Sequence, residues 1–389
     1  SDWSSDVCSS DLGMLPLNQR SKEEQQVLLS LSISPMSGLQ KEYISEVRKR
    51  VEDMLSSYAY PEYITCDVNI LRFLRGNYFD IDVTAAAYRK MLLWRREKNI
   101  DEYFKRVQDA DFDLRKVPFA DKFEKCYPVN YHHGEDREGH FLDIRLLGSV
   151  DVKAFLSNPL EEWEDYNIYT LEWRIYLLNK KSMETGELQR LCCIQDTKGI
   201  GMHMVSKQLI TFFKAMTDLT VNYYPETMHV SFITNAPAVF SALWSLAKPM
   251  MHPRTVKKYI ICNSDYQETL YKYIPVQNLP MVLGGICACD EDCICGLKND
   301  EHFSIPISTS FVMPIEVQKG ETVKAEWRLQ QGDIDFSARF AGVSGNPTEV
   351  AKVERVSSHS LEFVAPEDGV FSLCYDNSFS WLRRKVLEG

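Results

Sequence analysis

The sequence lacks a membrane-spanning run. Its longest uncharged stretch, residues 227–247 (TMHVSFITNAPAVFSALWSLA), is interrupted by His229, Asn235 and Pro237, and it reads as a strand, a turn and an amphipathic helix. The chain also lacks a basic excess. A formal charge of -11 argues against general nucleic-acid binding, because neutralising phosphates requires a cationic surface. No secretory leader is expected either: the first twelve residues, SDWSSDVCSSDL, carry neither a basic n-region nor an apolar core. They resemble a translated sequencing adapter, so they are taken as non-native, with a natural start expected at Met14. Without a leader, eleven cysteines in 389 residues read as reduced thiols in a cytosolic setting rather than as a disulfide framework.

Nucleotide and catalytic signatures are missing as well. CCIQDTKGIGM (residues 192–202) offers a strand end and the glycines Gly199 and Gly201. The third glycine of a dinucleotide loop is absent, however, and no Gly-Lys-Ser/Thr follows. The simpler reading is that Asp196 and the glycines turn a strand towards the next helix. His132 and His133 lie in NYHHGEDREGH, a turn with no partnered nucleophile motif, so no enzyme is expected.

What is present is a three-part pattern in a chain too long for one ordinary core. From Leu39 to Arg106 the period is helical. Tyr43, Val47, Val51, Met54 and Leu55 share one side of LQKEYISEVRKRVEDML. DVNILRFLRGNYFDIDVTAAAYRKMLLWRREKNID follows, with Asp67 as a cap and a break at Gly76 and Asn77. Its longer helix turns Ala86, Tyr88, Met91, Leu92 and Trp94 inward. Next, the strand-like runs HFLDIRL, LCCIQDT, HVSFITN and KYIICNS alternate with helical segments, which predicts an α/β domain with a mostly parallel sheet. Beyond Gly284, alternating runs such as TVKAEWRLQ and IDFSARFAG are separated by KGE, QGD and PEDG turns and predict a small antiparallel β-sandwich. Its last strand is expected to be cut short at Gly389.

Two stretches raise questions of chemistry. APAVFSALWSLAKPMM presents Val239, Phe240, Leu243, Trp244, Ala247, Met250 and Met251 as a broad apolar face, bracketed by Pro237 and Pro249. Lys248, Arg254, Lys257 and Lys258 follow with no intervening acid, a combination suited to a lid at an anionic bilayer. The cluster Cys287, Cys289, Cys293 and Cys295 holds four thiols within nine residues, but its Cys-x-Cys pairs around three acids are not zinc-finger spacing. A linker with free thiols, holding no metal, is expected there.

The order DTKGIG, NYYPETMHVSFITNAP, KPMMHPRTVKKYIICNS and IPVQNLPMVLGG resembles the CRAL-TRIO lipid-binding family, and LRFLRGNYFDIDVTAAAYRKMLLWR resembles its N-terminal helical module. KGETVKAEWRLQQGDIDFSARF and PEDGVFSLCYDNSFSWLRRKV resemble a GOLD domain. Together they resemble the animal tocopherol-associated, Sec-fourteen-like phosphatidylinositol transfer subgroup. The boundaries so implied are 1–38 for a non-native or disordered N-terminus and 39–106 for the helical module. The lipid-binding domain follows at 107–286, then a Cys-rich linker at 287–302 and GOLD at 303–389.

The resemblance implies a gate from Pro237 through Pro253 over an apolar pocket. It also implies lipid head-group contacts from Glu226 in YYPE, from Thr255 and Lys258 in PRTVKK, and from Arg75 rather than Arg72 in LRFLRG. Leu191 and Cys193 stand where relatives that bind phosphatidylcholine carry hydroxyls, which weakens choline binding by that route. The expected function is a monomeric cytosolic protein that binds and transfers one hydrophobic lipid, a phosphoinositide or an isoprenoid such as tocopherol. It would need no cofactor beyond that lipid. Transient membrane contact, Golgi or endosomal association and protein partners at GOLD are further expectations. The alternative is a lipid-sensing adaptor without bulk transfer.

Overall fold

The computed structural model describes residues 37–201, 204, 206–238, 240–251, 253–262, 266–285, 287, 303–305, 310–342, 347–379 and 385–388. The chain divides into two compact units. One runs to Tyr131 and resumes over Gly139–Asn263; the other comprises His132–Glu138 and the chain from Ser264.

The first unit opens with helices α1 (Gly38–Arg50), α2 (Glu52–Ser57), α3 (Glu62–Thr65), α4 (Asp67–Gly76), α5 (Ile81–Glu97) and α6 (Ile100–Asp109). Ser37 and Gln40 form a reciprocal capping box at the start of α1. The predicted single helix from Leu39 is broken at Val51, yet Tyr43, Val47, Val51 and Met54 all stay buried. Asp67 does not cap α4. Cys66 holds the cap position, and Asp67 lies inside the first turn, where it pairs with Arg48 at 2.8 Å. Ala86 is exposed rather than buried. The inward stripe of α5 runs through Ile81, Thr84, Ala85, Tyr88, Met91, Leu92 and Arg95, and Ala86 falls one residue off it.

Short helices α7 (Ala120–Phe123) and α8 (Val152–Ser157) flank the start of the sheet, and α9 (Leu160–Thr185) is its long crossover. Leu171 and Ile175 of α9 enter the core of the helical module, while Trp163, Tyr166 and Tyr169 pack with Phe123 and Phe155. This one helix therefore serves two cores.

The sheet order is β1 (Val129–Asn130), β2 (Phe141–Leu146), β3 (Leu191–Asp196), β4 (Met228–Thr234), β5 (Tyr259–Ile261). Strands β2 to β5 are parallel and β1 is antiparallel to β2. Crossovers α10 (Lys207–Tyr223), then α11 (Phe240–Ala247) and α12 (Pro253–Val256), complete the α/β pattern.

Pairing register separates the sheet's faces, because directly opposed residues point the same way. Ile144, Ile194, Phe232 and Ile260 align on one face, and the first three are wholly buried. Asp143, Cys193, Ser231 and Tyr259 align on the other, where Leu178 of α9 packs with Phe141, Leu191 and Cys193.

The glycine turn after β3 has a structural cause. Gly199 has φ 96°, and a Cβ on Gly148 would lie 1.7 Å from the Lys198 carbonyl oxygen, so both positions require glycine. Asp196 accepts from the Thr234 hydroxyl at 2.9 Å and from the Asn235 amide at 2.6 Å, tying β3 to β4. Helix α10 begins only at Lys207, capped by Ser206, so the glycines do not sit at a helix N-terminus.

The second unit carries helix α13 (Tyr266–Tyr273), followed by two antiparallel sheets. One is ordered β10 (Thr348–Val356), β9 (Ile334–Gly342), β12 (Gly369–Asp376), β7 (Ser310–Val317). The other is ordered β11 (Ser358–Val364), β8 (Thr322–Leu329), β13 (Lys385–Glu388), β6 (Phe303–Ile305). Alternate residues Ile334, Phe336, Ala338 and Phe340 of β9 and Phe371, Leu373 and Tyr375 of β12 meet Trp327 and Leu329 of β8 in a single core. The antiparallel architecture expected from the alternating runs is present.

Candidate functional site

Helix α4 ends at Gly76, whose missing side chain lets the helix end approach the turn before β4; a Cβ there would lie 3.3 Å from that of Pro225. The next residue, Glu226, adopts φ 56°, an uncommon left-handed conformation for a residue with a side chain. Its carbonyl accepts from Arg72 at 2.9 Å. Arg72 also donates to Asn179 at 2.7 Å and to the Gln189 carbonyl at 2.8 Å, and it is wholly buried. This arginine fixes the turn and has no surface left for a ligand.

The Glu226 carboxylate meets Arg254 of α12 at 2.8 Å and Lys258 at 3.6 Å. Arg254 also donates to the Arg75 carbonyl at 2.6 Å, and the Lys258 ammonium donates to the Met228 carbonyl at 2.7 Å. Arg75 is half-buried, and its Nε has no hydrogen-bond partner among the described residues.

The electrostatics are those of a partly desolvated cationic patch. Burial, with Arg190 adding to it, lowers the Arg75 guanidinium to about 10 and that of Arg72 to about 9. Burial also lowers the Lys258 amine to about 8; Glu226 opposes this, while Arg190 and Arg254 reinforce it. Arg75 and Lys258 are thus both desolvated beside the Glu226 carboxylate, and an incoming anionic oxygen would offset that desolvation.

The structure brings Arg75, Glu226 and Lys258 together from three separate segments. Thr255 lies in α12, and its carbonyl accepts from the Lys258 amide at 3.0 Å. Arg254 and Arg190 complete the cationic set. Arg254 was legible only as one of a basic string, and Arg190, in GELQR, belongs to no motif.

On the apolar segment, Trp244 and Phe240 are both half-buried, and Trp244 rests on Tyr259 with ring centroids 5.0 Å apart. Helix α11 therefore meets the sheet face that bears Asp143, Cys193 and Ser231. Met251 is half-buried. Val239 lies outside the described residues, as do the side chains of Leu243, Ala247 and Met250. Of the cysteine cluster, Cys287 is buried, and Cys289, Cys293 and Cys295 lie outside the described residues. Among the described residues, no helix is long and apolar enough to cross a membrane.

Residues 126–285 match the family model of the CRAL/TRIO domain. The chain is 32% identical to the SEC14 cytosolic factor of Kluyveromyces lactis over 246 residues, covering 61% of this chain and 76% of that protein. It is 33% identical to the SEC14 cytosolic factor of Eremothecium gossypii, covering 56% of this chain and 69% of that one. It is 29% identical to the phosphatidylinositol/phosphatidylcholine transfer protein SFH12 of Arabidopsis thaliana, covering 82% of this chain and 56% of that one. With a helical module before it, a parallel sheet within it and antiparallel sheets after it, the chain belongs to the CRAL/TRIO family of SEC14-like proteins.

Proposed function

We propose that this chain binds one lipid molecule and transfers it between membranes, with the Arg75–Glu226–Lys258 patch receiving an anionic head group. The observation that carries this reading is that Arg254 and Lys258 meet the Glu226 carboxylate beside the half-buried Arg75, whose Nε has no hydrogen-bond partner among the described residues. Such an arrangement has a use for an inositol phosphate, whose oxygens accept from Lys and Arg while its hydroxyls bond Glu and Thr. The name of the SFH12 relative, a phosphatidylinositol/phosphatidylcholine transfer protein, supports the same lipid class.

The mechanism is interfacial. The segment from Pro237 through Pro253 swings at a bilayer, one lipid exchanges, and the segment closes. No covalent chemistry and no metal are required. Burial of the acyl chain, at about 0.8 kcal/mol per methylene, is large enough for extraction to balance re-deposition. A neutral isoprenoid such as tocopherol is the second ligand class. The C-terminal sandwich is proposed as a GOLD domain that contacts proteins at Golgi or endosomal surfaces, with the chain acting as a cytosolic monomer.

The test is transfer of labelled phosphatidylinositol from donor to acceptor vesicles, beside native mass spectrometry of the incubated protein. Accelerated transfer with a one-to-one complex is the expected result. A protein that retains no lipid after incubation with mixed vesicles would overturn the reading. Retention without transfer would point to a lipid-sensing adaptor instead.

A further inference from the structure

The sheet face below α11 carries a second charged cluster, separate from the Glu226 patch. Asp143 of β2 is wholly buried. Arg145, two residues along the same strand and so on the same face, grips it with two bonds, Nε at 2.6 Å and Nη2 at 3.0 Å. Arg174 of α9 reaches the same carboxylate at 2.5 Å and lies over the Tyr131 ring at 5.4 Å. Its Nε is buried and has no hydrogen-bond partner among the described residues.

Burial pushes the Asp143 carboxyl up, and the two arginines more than reverse this, holding it below the ordinary carboxylate range. The cluster therefore stays ionised, with two guanidiniums and one carboxylate. Burial likewise raises Tyr127 and Tyr131, with Arg145 and Arg174 opposing it, and lifts the neighbouring Cys193 thiol to about 12. Yet Arg145 keeps 29% of its side-chain surface open. That open surface belongs to the sheet face that α11 meets through Trp244 and Tyr259, the face a lipid would occupy beneath the proposed gate.

An excess cation beside a single carboxylate is costly while its surroundings hold only hydrocarbon. It is favourable when an acceptor oxygen bearing negative charge arrives. A purely structural staple between α9 and β2 would need one arginine per carboxylate; the second leaves charge to spare. Building on the lipid-binding reading, we infer that Arg174 and Arg145 form an anion-recognising end inside the lipid cavity. They would select amphiphiles whose carboxylate or phosphomonoester oxygen enters as far as the sheet, and disfavour neutral lipids and quaternary ammonium groups there.

The test incubates the intact chain with phosphatidylcholine vesicles containing oleic acid and oleyl alcohol in equal amounts. A parallel set contains phosphatidic acid and diacylglycerol, and native mass spectrometry counts the lipid retained. Charge-assisted bonding should favour the acid over its neutral partner by about tenfold in at least one pair. The pair that shows it tells whether the anion is a fatty carboxylate or a phosphomonoester. In Arg174→Met the ratio should fall below about threefold, and Arg174→Lys should keep most of it, since the charge survives.

Equal retention of acid and neutral partner in both pairs by the unmodified chain would overturn the inference while leaving lipid binding intact. An unchanged ratio in a folded Arg174→Met variant would also overturn it. Should Arg174→Met fail to fold, the unmodified chain and Arg174→Lys still decide. Retention of no lipid at all would overturn the lipid-transfer reading, and this inference with it.

Discussion

Arg254 joins the Glu226 carboxylate at 2.8 Å and the Arg75 carbonyl at 2.6 Å, so one side chain bridges the turn before β4 and the end of α4. The segment after the proposed gate is thereby tied to the helical module. In the proposed mechanism, movement of α12 must break or carry both bonds, which would couple the gate to the head-group patch through Arg254.

Lys258 gives this patch a pH dependence. Its amine releases its proton at about 8 in the folded chain, against an ordinary 10.5, chiefly because burial disfavours the charge. Between these values the unfolded chain binds more protons than the folded one, so the residue's contribution to stability rises with pH across about 8 to 10.5. Anionic head-group binding should show the opposite trend, since it needs the charged amine. We expect phosphatidylinositol retention to decline above about pH 8 and Lys258→Arg to flatten the profile. Lys258→Ala should cost roughly 1.5–3 kcal/mol of head-group binding and spare a neutral isoprenoid. Equal loss of both lipids would assign the lysine to the fold.

Arg72 and Arg75 lie one turn apart on α4 and should behave differently. Arg72 is enclosed and donates to Asn179, Ser182 and the Glu226 and Gln189 carbonyls, with no carboxylate in direct contact. Arg72→Met would leave those buried acceptors without their donor, a loss of roughly 3 kcal/mol or more by urea unfolding. Arg75→Met removes a half-buried side chain with an orphaned Nε and should change stability by less than about 1 kcal/mol. Phosphatidylinositol retention should fall in Arg75→Met. A stable Arg72→Met variant would show that the turn holds itself.

A buried network joins the helical module to α9. Glu172 is wholly enclosed and accepts from Arg95 at 2.7 Å, from the Tyr224 hydroxyl at 2.7 Å and from the Tyr63 hydroxyl. Glu172→Gln should destabilise the chain by about 3–5 kcal/mol, because it strips Arg95 of its most buried counter-charge. Replacing Arg95 and Glu172 together by leucine should cost less than the sum of the two single changes, measured by denaturant unfolding in a double-mutant cycle. Additive losses would refute the coupling.

Strong periodicity is what made the fold legible. Ile334, Phe336, Ala338 and Phe340 alternate through β9, and Tyr43 and Val47 recur through α1, so each pattern identifies its element unaided. β1, β6 and β13, at two to four residues, are too short to have a period. Helix α10 starts several residues beyond the glycine turn, at its cap Ser206. Of the site, Glu226 and Lys258 were readable from their motifs, and Arg190 had no motif to carry it. The Asp143 cluster was hidden by its own pattern. In FLDIRL the alternating polar residues suggest a face turned to water, whereas register and burial place them inside, under α9.

The gate has its sharpest test at Trp244. Its ring is half-buried against Tyr259 on the sheet and is stacked with Phe240 one turn away, at a centroid distance of 6.2 Å. In a closed state this contact covers the sheet face; in an open state the same apolar surface must meet a bilayer, where an aromatic ring is favoured at the interface. A carboxylate is costly in both environments. Trp244→Asp should therefore slow lipid exchange between vesicles by at least about tenfold, which requires only about 1.4 kcal/mol. Circular dichroism should stay close to that of the unmodified chain, because a half-buried lid residue contributes less to the core than Phe232 or Ile194, which are fully enclosed. Trp244→Phe, which keeps the ring and adds no charge, should transfer near the normal rate. If Trp244→Asp unfolds the α/β unit, the helix is fixed core; if it stays folded and transfers normally, the segment is not the gate.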